Sequence, residues 1–121
     1  MISSVSQKVG DGTRQFKFGA RAMSALEDHY DKGVIEIVEG FQQDAEAGTL
    51  RIGTLIRLIA ECADDGDGVD DAEAHRLFDA LGAFGAAELL GKCIDKAFPE
   101  AKAQSDKGTT GKNGKRAARS K

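Results

Sequence analysis

The chain has 121 residues, 40% of them hydrophobic and 31% charged, with a net charge of −3. That is the size of one small domain plus a tail, in the globular rather than the disordered range of composition. No run approaches the roughly 18 apolar residues that cross a bilayer, and no signal peptide precedes the cysteines, so a soluble, cytosolic protein is expected. Charge is divided unevenly. Residues 101–121 hold seven cations against Asp106 alone, or +6, which leaves −9 on the first hundred residues.

The opening segment carries Val5, Val9, Phe16 and Phe18 around a Gly10-Asp11-Gly12 break. Its second arm alternates polar and apolar residues, and two short arms about a Gly/Asp turn predict a β-hairpin over residues 2–18. An isolated hairpin is barely stable, so Phe16 and Phe18 need helices to pack against. The first predicted helix runs over about 20–30, with Met23, Leu26 and Tyr30 on one face and Gly33 placed for a left-handed C-terminal cap. The second covers about 34–47, where Val34, Val38, Phe41 and Ala45 form a stripe that Ile35 and Ile37 widen. The third, about 52–63, is the most apolar and is expected to be the centre of the core. A glycine-aspartate loop, Asp64 to Asp70, ends it, and Asp71 is placed to cap the fourth helix, whose buried face is Ala74, Leu77, Phe78 and Leu81. Gly82 ends that helix, and a fifth follows over about 84–98 with Leu90, Cys93, Ile94 and Ala97 at helical spacing. Pro99 forbids continuation.

These elements predict a mainly α (α+β) protein: an N-terminal hairpin followed by a bundle of about five short helices. The globular domain spans 1–103. Residues 104–121 contain no large apolar group, so nothing there offsets the entropy of ordering, and a disordered basic tail is expected. The chain has no tryptophan and one tyrosine, which makes Phe16, Phe18, Phe41, Phe78, Phe84 and Phe98 the other large aromatic core fillers.

Few polar groups are placed for chemistry. In Asp64-Asp65-Gly66-Asp67-Gly68-Val69-Asp70-Asp71, setting Gly68 at the sixth position of a calcium loop puts Asp65 and Asp67 correctly at the third and fifth. Ala63 and Ala74 then fall where the first and the bidentate ligands belong, so a solvated acidic loop is expected, with no metal and no cofactor. His29 and His75 have no Cys or His partner at ligand spacing. Cys62 and Cys93 lie within apolar helical patterns and predict two buried, reduced thiols. A disulfide between them requires the two helices to face each other closely. No nucleophile motif exists, and the Gly-Lys tail lacks the strand and helix of a phosphate-cradling loop. Its charge attracts polyanions without sequence specificity, and its expected role is to solubilise.

Phe16-Lys17-Phe18-Gly19 leads into Ala25-Leu26-Glu27, then Val34-Ile35-Glu36-Ile37 and the apolar 52–59 helix. The acidic loop before Asp71-Ala72-Glu73-Ala74, and Leu89-Leu90 ahead of Ala97-Phe98-Pro99, complete a pattern over residues 13–98. This pattern resembles the small tail protein family of gene transfer agents and prophages, described both as tail assembly chaperones and as tail tube proteins. The resemblance implies a non-enzymatic protein of a bacterial host cytoplasm that builds a phage-like tail. As a chaperone it would coat the tape-measure protein, with the tail tube protein as a further partner and a homo-oligomer as a working form. No membrane and no specific nucleic acid are implied.

The acidic body would keep coated complexes apart, and helix faces would receive amphipathic tape-measure helices. The stripes on the second and third helices mark Ile35, Ile37, Phe41 and Leu58 as candidate partner-binding residues; equally, the same apolar surface would serve packing alone. Two other roles stand beside the chaperone: a structural tube component, which normally rests on a closed β-barrel or sandwich, and an ion- or polyanion-binding regulatory module using the loop or the tail.

Overall fold

The computed structural model describes residues 2–98. The predicted tail, 104–121, lies outside the described residues. Two strands, β1 (Val5–Val9) and β2 (Gly12–Phe16), form an antiparallel hairpin in which Val5 pairs with Phe16 and Val9 with Gly12. Four helices follow: α1 (Ala20–Tyr30), α2 (Val34–Ala47), α3 (Ile52–Cys62) and α4 (Asp71–Ala97). The protein is therefore mainly helical with an N-terminal hairpin, as expected, but with four helices rather than about five. None of the described helices is long and apolar enough to cross a membrane.

The missing boundary lies at Gly82. Its φ of 78° and ψ of 165° are non-helical, so α4 bends there, yet helical turns resume directly on both sides. Only glycine adopts that conformation without a Cβ penalty, so α4 consists of two helical stretches meeting at a kink.

Two caps also differ from expectation. Asp31, at φ 55° and ψ 45°, provides the left-handed cap of α1, while Gly33 has extended backbone and starts α2. Asp70, not Asp71, caps α4: its carboxylate accepts the Glu73 N–H at 2.8 Å. Gly48 closes α2 in the left-handed region, where a C-terminal glycine belongs.

α3 is the centre of the core, burying Leu55, Leu58, Ile59, Ala60 and Cys62. It packs chiefly on α4 and also on α1. The hairpin is joined to it through the backbone. Phe16 bridges Ala63, the Lys17 N–H donates to Cys62 at 2.9 Å, and the Asp65 N–H donates to Gln15 at 2.8 Å. Phe16 and Phe18 are thereby buried, and Phe18 meets Phe98 edge-on at 6.1 Å. Phe84 is the exception among the expected aromatic fillers. It stands 93% exposed just past the bend in α4.

Candidate functional site

Two places collect side chains that a core does not need. The first is the acidic loop between α3 and α4. Asp64, Asp65, Gly66 and Gly68 all have positive φ, so the chain coils tightly there. Arg14 of β2 reaches Asp64 at 3.1 Å and Glu73 at 2.9 Å. Arg21 of α1 donates to the Gly66 carbonyl at 2.7 Å and to the Glu61 carboxylate at 2.8 Å. Arg57 of α3 contacts Asp71 at 3.2 Å and Glu61 at 3.5 Å.

Ser4 donates to Asp65, and Asp70 is occupied as the helix cap. The Arg14 guanidinium, then Arg76, holds the Glu73 carboxyl below its usual range. Among the described residues no three His, Cys, Asp or Glu side chains converge as a metal would require. Asp64, Asp71 and Glu73 instead meet arginines, and the loop works as a clasp.

The second place is a groove where the C-terminal end of α1, the inner edge of α2 and the start of α3 fail to close on one another. It consists of two adjoining hollows, of about 800 and about 130 Å³, that share Tyr30 and Thr54. Tyr30, Leu50 and Ile52 line the larger one together with His29, Arg51, Thr54 and Arg57. Ile37 and Phe41 form the floor of the smaller one, with Glu36 and Asp44 beside them.

Two glycines keep this space open. Gly40 lies within α2 and Gly53 in the first turn of α3, both on the groove, and a Cβ built at either meets no atom within 4 Å. Packing therefore does not require glycine there. A helical glycine costs roughly 0.5–1 kcal/mol relative to alanine, so the bare backbone carries a real penalty.

The four residues singled out in sequence are placed unequally. Leu58 is buried in the core on α3. Ile37 and Phe41 are also buried as side chains, but their edges form the groove floor. Ile35 is 54% exposed and lies round the helix from that floor, outside the groove. Tyr30, Gly40, Ile52 and Gly53 were missed. A glycine at position 40, one residue before Phe41 in an otherwise regular stripe, was the available signal. Cys62 and Cys93 are buried and unpaired. Burial pushes the Cys93 thiol up to about 12 and the Cys62 thiol well above its ordinary value.

Compared with protein families, with curated proteins and with solved structures, the chain matches none.

Proposed function

We propose that the chain is a non-enzymatic assembly protein of a phage-like tail, a chaperone that holds an amphipathic helix of the tape-measure protein in the groove between α2 and α3. The pattern over residues 13–98 supports the family reading. One observation carries the binding reading: at Gly40 and Gly53, both on the groove, an added Cβ would meet no atom within 4 Å. A hollow with Tyr30, Ile37, Phe41, Leu50 and Ile52 along it suits the apolar stripe of a helix laid lengthwise. Burial of that stripe drives capture at roughly 25 cal/mol per Å² of apolar surface. The −9 charge of residues 1–100 keeps loaded complexes from clumping.

A tube-subunit role draws no support from the single two-stranded hairpin of the described residues. Regulation through the acidic loop draws none from Asp64, Asp71 and Glu73, which arginines already engage.

Co-expression with a tape-measure protein of a phage-like tail tests the proposal. A recovered complex and a rise in soluble tape-measure protein are expected. Unchanged solubility with no complex overturns the chaperone reading. Gly40→Gln fills the groove while favouring the helix, so capture should fall although the fold is more stable. Undiminished capture by this variant would place the partner elsewhere.

A further inference from the structure

Carboxylates gather at two places among the described residues, and their surroundings differ. In the loop between α3 and α4 and the turn after it, Asp64, Asp71 and Glu73 are met by arginines. α2 has no such partners. Its 14 residues include Glu36, Glu39, Asp44 and Glu46 and no lysine or arginine. All four carboxylates are exposed, and none has an ion pair among the described residues. Lys32 lines the smaller hollow with Glu36 and Asp44 but forms an ion pair with neither. Glu36, Glu39, Gln43 and Glu46 recur at i, i+3, i+7 and i+10, which sets them on one face, away from the buried Ile37, Val38 and Phe41. The stripe is about 15 Å long. Like charges at this spacing destabilise a helix, so a cationic neighbour on the exposed face is favourable.

The same chain supplies that neighbour. Residues 101–121 carry seven cations against Asp106 alone and no large apolar side chain, so charge is their means of attachment and the groove offers them little. The residues that follow Phe98, 99–121, amount to about 75 Å of chain when extended. A 100-residue domain has a radius of gyration of about 13 Å, so α2 is within reach. We infer that residues 101–121 lie back along α2 of their own molecule, with lysines and arginines set against Glu36, Glu39 and Glu46. Exposed ion pairs are individually weak and are screened by salt. Tethering offsets this, because it holds the two partners at a high effective concentration. The contact is therefore independent of protein concentration and sensitive to ionic strength. It goes beyond the tape-measure reading and does not rest on it, since it uses the exposed face of α2 and needs no client.

The test places a nitroxide near the end of the full chain, on Ser120→Cys, and reads the broadening of backbone amide NMR signals. Cys62 and Cys93 are buried, so the label goes to the new thiol. In dilute buffer the amides of Glu39, Gln43 and Glu46 should lose intensity, while those of Asp64, Asp65 and Asp67 in the acidic loop should keep theirs. The loss should disappear at about 1 M salt, where the Debye length is about 3 Å. It should also disappear when Glu36→Gln, Glu39→Gln and Glu46→Gln are combined. All three positions are exposed, so that variant leaves the core intact. Full intensity along α2 at low salt overturns the inference. So does equal loss at α2 and at the acidic loop, or a pattern that the three glutamines leave unchanged. The last sample mixes nitroxide-bearing chain with isotope-enriched chain that lacks the label. Its α2 signals should stay intact, and their loss would mean contact between copies and overturn the intramolecular reading.

Discussion

At the scale of single residues, Gly68 shows how the loop and the arginine clasp depend on one another. Its φ is +89°, and a Cβ there would stand 2.6 Å from Nη2 of Arg21. A long side chain normally swings clear of such a clash, but this guanidinium is held by the Gly66 carbonyl and by both the carbonyl and the carboxylate of Glu61. Gly68→Ala should therefore cost about 1–3 kcal/mol, as strained left-handed positions do, read as a lower urea midpoint. The two thiols give a second prediction, and its sign follows from burial. Cys93 is raised to about 12 and Cys62 is raised as well, whereas an unfolded thiol loses its proton near about 8.5. The folded chain keeps protons that the unfolded chain releases. Stability is thus fully present below about pH 8.5 and falls above it, by about 1.4 kcal/mol per pH unit for each thiol. Urea melts between about pH 8.5 and 10 should show this decline. Cys62→Ala/Cys93→Ala, although less stable at neutral pH, should flatten the slope.

At the scale of elements, the choice of cap on α4 separates two neighbouring aspartates. Asp70 accepts the Glu73 N–H, so Asp70→Ala should cost about 1 kcal/mol. Asp71, 69% exposed, makes only a surface ion pair with Arg57, and Asp71→Ala should change stability by no more than ~0.5–1 kcal/mol. Paired thermal melts decide between them. The Asp70-x-x-Glu73 spacing was readable, but a run of acids ahead of a helix offers several candidates, and only the backbone geometry chooses among them. Helix spans 20–30 and 34–47 were legible because apolar spacing and a terminal glycine agreed. Gly33 misled, since Asp31 tolerates the left-handed region well enough to cap α1 by itself. Gly82 was legible as a helix break, and its non-helical backbone divides α4 into two helical stretches that follow one another directly. The groove was legible only in part. Amphipathic spacing says which side of α2 is apolar, and the placement of Ile37 and Phe41 followed from it, but whether a neighbour covers that side is a tertiary fact. The glycine at position 40 carries its own prediction. Gly40→Ala should stabilise the protein by roughly 0.5–1 kcal/mol, visible as a higher urea midpoint at constant slope.

At the scale of the whole molecule, the packing is uneven in a way that has dynamic consequences. α3 is enclosed, with five buried residues, main contacts to α4 and α1, and the hairpin bonded onto its last turn. α2 buries three residues and packs principally on α1, and the groove lies where a second neighbour would otherwise stand. Opening α2 exposes little apolar surface, whereas opening α3 exposes the centre of the core, and local opening follows such differences in burial. Amide hydrogen exchange should therefore rank the helices. The N–H groups of Leu58, Ile59 and Ala60 should exchange only through global unfolding, with a urea dependence matching the full transition. Those of Gln42 and Gln43, on the exposed side of α2, should exchange faster and with little urea dependence, as local opening does. If a tape-measure segment binds in the groove as proposed, it gives α2 the neighbour it lacks, so protection should rise there and leave α3 unchanged. Equal protection across α2 and α3 in the free chain would mean that the groove is as rigid as the core. The partner would then be met by a preformed slot, not by a helix that closes over it.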